Sequence, residues 1–311
     1  MSIENKEILK QEVKSIKLKA IAERSFHDNL KIIFHFIANK SYKEAEKNID
    51  SLTLKYQSDF ELSRLYYLRA VIAEKQLHEN EAIKYYEASI SKSNKYSDPY
   101  RQLGVFYRRI KQDYTRAMEF LKKAIEVNPN DYKAYVRLAS VFRVNKNIEE
   151  AIILYEKAIE INPDSSLAYN SLGILYDLEK KDILKAIYLF KKAINIDSDL
   201  SSVAYAYSNI FRIELLYNKH LDKAFEKEFL QKFKNKDVDA FANYELYKIL
   251  FKIATNQEEK EDIHNWKIKY KHLSSSYFLM KSLIKWAEEQ EDEDISKKLV
   301  DTLKYIDEFK N

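Results

Sequence analysis

Histidine is the first side chain to consider for acid–base or metal chemistry, and this sequence has six, at positions 27, 35, 78, 220, 264 and 272. No two have the four-residue spacing of an HExxH helix, which would set two imidazoles on one face to hold zinc. Cysteine is absent, which removes disulfides, thiolate metal sites and a cysteine nucleophile. Phosphate-cradling loops of the GxxxxGK or GxGxxG kind need several glycines in one short stretch, and the whole chain has two. Carboxylates are plentiful, but on charged helices they solvate an outer face. Their densest run, Glu288 to Asp294, falls between two apolar stripes, where acids ahead of a helix N-terminus favour its dipole. The expectation is a protein with no metal, no cofactor and no catalytic residues, whose chemistry is binding.

What must position the binding groups is helical. Two glycines and three prolines in 311 residues are too few for the turns of sandwiches, barrels or doubly wound sheets. With 46% hydrophobic and 33% charged residues, the chain has material for a sizeable core and a wet surface. The start, MSIENKEILKQEVKSIKLKA, lacks the apolar centre of a signal peptide. The longest nearly apolar run, Ile32 to Ala38, is far too short for a bilayer. No membrane association and a cytoplasmic location are therefore expected. A formal net charge of +4 argues for nucleic acid only weakly, so any electrostatic case must be local.

The rare residues reveal the organisation. Gly104 and Gly173 lie two steps apart, and Pro129 and Pro163 lie 34 apart. Ala117, Ala151 and Ala186, and again Ala124, Ala158 and Ala193, step by 34 and then 35. Superposing the segments gives units at 97–131, 132–165 and 166–200, each splitting into two helical halves. The first halves read YRQLGVFY, YVRLASVF and YNSLGILY, with aromatic, leucine, small and aromatic residues at helical spacing. The second halves read RAMEFLKKAIEVNPN, EAIILYEKAIEINPD and KAIYLFKKAINIDSD, with alanines seven apart on one face.

These units resemble the tetratricopeptide repeat, a helix–turn–helix module of 34 residues with small residues where its helices cross. The resemblance implies an all-α fold: a right-handed superhelix (α-solenoid) of stacked units with helical N- and C-terminal caps. Gly104, Ala139 and Gly173 would stand where the two helices of a unit come closest. Pro129 and Pro163 would end the second helices, and Pro99 suits a first turn. Fainter units are expected at 26–62, with Phe36 and Ala45, at 63–96, with Tyr66, Ala70, Ala82 and Tyr86, and at 201–234, with Ala204, Phe211 and Ala224. The array would thus span 26–234, preceded by an amphipathic helix over 1–25 and followed by a helical capping region, 235–311. There Val238, Ala242, Leu246, Ile249 and Ile253 form one stripe, and Ile295, Leu299, Leu303 and Ile306 another. Trp266 and Trp286 are expected to pack.

In the resembled family the first helices line a concave groove that holds a peptide. In that register the groove would present Arg64, Tyr67, Arg101, Arg108, Lys133, Arg137, Arg143 and Asn170, with Asp98 and Asp177 as acidic exceptions. Arg108 and Arg109 cannot both point inward. Guanidinium forks suit carboxylates and phosphates, so the expected partner is a protein or an acidic peptide. Lys133 and Arg137 resemble the final pair of the family's two-carboxylate clamp, but Gln102, Tyr67 and Val71 depart from it, so specific chaperone-tail binding is not expected. The functional expectation is a non-catalytic interaction scaffold. Two alternatives stand beside it: an RNA-binding helical repeat, since arginines and stacked aromatics also follow a phosphate backbone, and an enzyme hidden in the last 75 or so residues.

Overall fold

A computed structural model describes residues 24–196, 200–217, 222–233, 238–255, 260–269 and 277–307. The expected helix at 1–25 lies almost wholly outside these residues, as do His220 and His272. All regular structure among the described residues is helical. The chain divides into two compact units, one running to Lys180 and the other from Lys181 onward, with Leu200 grouping with the first.

The first unit is a series of helix pairs: α1 (Phe26–Ala38) with α2 (Tyr42–Lys55), α3 (Asp59–Lys75) with α4 (Glu79–Lys92), α5 (Ser97–Phe106) with α6 (Tyr114–Val127), and α7 (Tyr132–Val144) with α8 (Ile148–Ile161), then α9 (Ser166–Leu175). Side-chain caps start many of them. Ser25 forms a capping box with Asp28, and the side chains of Ser58, Asp113, Asp131 and Ser165 each accept a backbone N–H in the first turn. Such caps contribute about 1 kcal/mol each. Pro99 lies in the first turn of α5, and Pro129 and Pro163 sit exposed in the turns after α6 and α8. Beside those prolines the carboxamides of Asn128 and Asn162 accept from the N–H of Asn130 and Asp164.

The alanines close the pairs. Ala117, Ala124, Ala139, Ala151 and Ala158 have no exposed surface, nor have Ala70 and Ala82 in the fainter repeat. Gly104 allows the tightest approach: a Cβ there would stand 2.5 Å from Leu121 Cγ and 3.1 Å from the Ala117 carbonyl oxygen. First helices of successive pairs also meet, α5 against α7 and α7 against α9.

The alternation of 34- and 35-residue steps has a local cause. Where the turn holds no extra residue it is closed by an N–H to a carbonyl five residues back: Ser41 to Phe36, His78 to Ala73, Asn147 to Phe142. In the 97–131 repeat Asp113 N–H reaches Tyr107, six residues back. The extra residue is absorbed in a π-helical turn, π1 (Tyr107–Lys111). A second such turn, π2 (Tyr176–Lys180), ends the first helix of the 166–200 repeat.

Five turns that follow a first helix put a non-glycine residue at positive φ: Lys40, Leu77, Gln112, Lys146 and Lys181. With a Cβ this conformation costs roughly 1–2 kcal/mol, whereas glycine's extra chain entropy costs roughly 0.5–1. Leu77 is 85% exposed, so its side chain has little burial to lose. Leu77→Gly is therefore expected to raise stability by about 0.5–1 kcal/mol, read as a Tm increase of roughly 2 °C. An unchanged or lower Tm would refute the strain at this turn.

In the second unit α10 (Ile183–Ile196) buries Ala186 and Ala193, and α11 (Leu200–Arg212) continues into π3 (Ile213–Tyr217). Helices α12 (Lys223–Phe233), α13 (Val238–Ala254), α14 (Lys260–Lys269), α15 (Tyr277–Glu288) and α16 (Glu293–Asp307) follow. Ala204 and Phe211 are buried, but Ala224 is exposed. Aromatic rings fill that interior instead, with Tyr207, Phe211, Phe225, Phe229 and Tyr244 in mutual contact. Ala242, Leu246, Ile249 and Ile253 are buried on α13, and Leu299 and Leu303 on α16. Trp286 is 4% exposed, and half-buried Trp266 donates its indole N–H to the Ala242 carbonyl. Asp292, within the acidic run, accepts the N–H groups of Asp294 and Ile295 and so caps α16.

Candidate functional site

The first helices of the first unit carry a basic cluster, and the cations differ in how they are held. Arg64 on α3 lies between two aromatic rings, 5.8 Å from the centre of Phe60 and 5.4 Å from that of Tyr96. Arg101 on α5 is only 14% exposed at its side chain and is gripped by Asp98 and by Asp131, the latter at 3.1 Å. Burial alone would lower its pKa, but the two aspartates outweigh burial and raise it. Arg143 on α7, 15% exposed, pairs with Glu179 at 3.5 Å and hydrogen-bonds the Tyr155 hydroxyl of α8. Lys146 shares the same glutamate at 3.1 Å.

Arg108 and Arg137 are different. Both are half-buried, and neither meets an acid among the described residues. The Nε of Arg108 is buried with no hydrogen-bond acceptor. Burial pushes the pKa of both guanidinia down. Repulsion pushes further: Arg109 and Arg143 act on Arg108, and Arg108 and Arg101 act on Arg137. Tyr155 opposes the shift of both, and on Arg108 its effect is second only to burial. Repeat symmetry shows why Arg108 is left over. Arg108 and Arg143 each lie four residues beyond the small residue of their helix, Gly104 and Ala139. Arg143 finds a phenol from its own second helix, Tyr155, whereas the 97–131 repeat has Leu121 at that place, pressed against Gly104. In the 63–96 repeat the corresponding pair is Glu74 and Tyr86, joined by a 2.8 Å hydrogen bond.

Of the other residues placed in the groove by sequence, Lys133 is exposed, 5.8 Å from the Tyr132 ring. Tyr67 and Asn170 are 9% and 6% exposed, so they support the surface rather than present it. Burial raises the Tyr67 pKa, and its ring edge meets Tyr96. Asp177 is also buried, and Arg109 is exposed where Arg108 is not. Arg101 and Lys133 line an open cleft of about 560 Å³ with Phe60, Tyr96, Asn128 and Tyr132. Sequence reasoning missed Tyr155, because it lies on a second helix, and Glu179 and Asp131, whose roles depend on contacts between repeats. The recurrence of a tyrosine at 86 and 155, two steps apart, was the available signal. Among the described residues no three histidine, aspartate or glutamate side chains gather as metal ligands, and no helix is long and apolar enough to cross a membrane.

Helix pairs in series, small residues at their crossings and a charged first-helix face define a class, the helical-repeat interaction scaffold. Comparison with known proteins agrees. Residues 108–173 match the tetratricopeptide repeat and residues 166–198 the Sel1 repeat, so this stretch of the chain is built of tetratricopeptide-type repeats. No curated protein sequence matches it. Among solved structures it resembles PilF of Pseudomonas aeruginosa, with a TM-score of 0.52 and 16% identity over 73% of this chain and 99% of that one. A thermophilic repeat protein of Thermus thermophilus gives 0.49 and 20%, covering 60% and 99%. YrrB, described as having an unusual peptide-binding site, gives 0.41 and 20%, covering 64% and 96%. At these identities the likeness is one of fold.

Proposed function

We propose that this chain is a non-catalytic scaffold that holds an acidic segment of a partner protein along the first helices of its first compact unit. The observation that carries this is the pair Arg108 and Arg137. A half-buried cation without a counter-charge is costly to fold around, and a bound anion removes that cost. Arg101 and Arg143 already have partners, so they shape the surface while Arg108 and Arg137 supply the free charge. The contacts α5–α7 and α7–α9 set the first helices side by side, which suits an elongated ligand crossing several repeats.

The test is fluorescence anisotropy with a short glutamate-rich peptide and, separately, a single-stranded RNA, each titrated with salt. The expected result is saturable peptide binding that weakens at least about fivefold in Arg137→Gln, with circular dichroism unchanged. RNA binding that is tighter and falls more steeply with salt would reassign the face to nucleic acid. Peptide binding indifferent to Arg137→Gln would overturn the proposal.

A further inference from the structure

Counting charge around Arg108 and Arg137 narrows the ligand further. Arg101 with Asp98 and Asp131 carries one negative charge in excess, and Arg143 with Lys146 and Glu179 carries one positive. These cancel. What remains is Arg108 and Arg137, two half-buried positive charges that repel each other across consecutive first helices, with exposed Arg109 adding a third beside them and the buried Nε–H of Arg108 still lacking an acceptor. One carboxylate leaves most of that charge unanswered. A phosphomonoester brings nearly two negative charges and three acceptor oxygens on a single centre, and each guanidinium can fork onto it.

We infer that the seat formed by Arg108 and Arg137 takes a phosphorylated side chain of the partner segment. The inference rests on the acidic-segment reading above and gives it a switch: the partner docks fully only once it is phosphorylated. Tyr155, buried and hydrogen-bonded to Arg143, engages Arg143 together with Glu179, which leaves Arg108 and Arg137 as the half-buried cations without an acid. The facing groups are Arg101, Arg109, Arg143, Tyr114 and Tyr155. Arginine and tyrosine side chains change charge far above neutral pH, so any pH response near 6 must come from the ligand.

Three short peptides, identical but for a central phosphoserine, glutamate or serine, test this by anisotropy at constant ionic strength, with inorganic phosphate as a fourth probe. At pH 7.5 the phosphopeptide is expected to bind about tenfold more tightly than the glutamate peptide. The advantage shrinks towards pH 5.5, as the phosphate passes its second pKa of about 6, and disappears in Arg108→Gln and in Arg137→Gln with helicity retained. Equal binding of the phosphoserine and glutamate peptides would overturn the inference and leave the acidic-segment reading intact. Inorganic phosphate binding as tightly as the phosphopeptide would also overturn it, as would a phosphate advantage that survives both substitutions. Failure of every peptide would overturn both readings.

Discussion

Arg108→Met/Arg137→Met is expected to melt at a higher temperature than the native chain while losing its acidic ligand. The two guanidinia are half-buried, mutually repelling and without acids among the described residues. Replacing such charges by apolar groups of similar length removes a desolvation cost and keeps the packing of the stems. A gain of about 1–2 kcal/mol follows, the size usual where stability has been sacrificed to a function, and Tm should rise by roughly 3–6 °C. The sign of the linkage is clear: a guanidinium with a lowered folded pKa destabilises the fold at every pH below that pKa. Arginine stays charged across the working range, so the gain should be the same at pH 5 and pH 8. Differential scanning calorimetry at both pH values, paired with peptide anisotropy, measures it. If these arginines merely wet a helix face, the double variant would melt no higher, and the argument for an unanswered charge would collapse.

Gly104→Val carries the largest expected loss. A Cβ at 104 meets Leu121 Cγ at 2.5 Å and the Ala117 carbonyl at 3.1 Å. Leu121 has no exposed surface, so its branch point cannot swing away. Alanine at 104 would gain about 1 kcal/mol in helix propensity, yet the overlap costs roughly 1–3 kcal/mol. Valine adds two methyls and a stiff χ1 to the same collision, so a loss of about 3 kcal/mol and a Tm drop of several degrees are expected. The stronger check is a double-mutant cycle with Leu121→Ala. That change alone should cost about 2–5 kcal/mol, but in the Gly104→Val background the valine occupies the vacated space, giving a favourable coupling of about 1–2 kcal/mol. Strict additivity would mean that these two residues do not share the crossing.

The helical fold was legible because the residues that enforce it are rare and periodic. Gly104 and the alanines stand where no larger side chain fits, and such positions repeat visibly in one dimension. The basic cluster was legible only in part. Helical spacing identified Arg101, Arg108, Arg137 and Arg143 as one strip. It could not tell which of them were already neutralised, because Asp131 and Glu179 lie about thirty residues or more from the arginines they hold, with at least one whole helix between. Burial of Tyr67 and Asn170 was likewise invisible: both occupy first-helix positions off the packed stripe, and Tyr67 is covered by Tyr86 and Tyr96, which lie about twenty to thirty residues further along. The choice between Arg108 and Arg109 was undecidable from spacing, since both lie inside π1, where the regular angular step of the α-helix does not apply.

That widened turn has a consequence for how such an array can change over time. A residue inserted into a loop shifts nothing, and one inserted into a helix throws every later side chain out of phase. π1 does neither: it takes up the surplus residue at the helix end, so Ala117 and all that follows keep their angular setting, while the few side chains within the bulge are re-indexed against their counterparts. Arg108 and Arg109, both within the bulge, show the result, the first half-buried and the second exposed. A single-codon insertion at this joint is therefore a low-risk route to a new surface on an unchanged frame, with the bulge serving as slack in an otherwise rigid gear train.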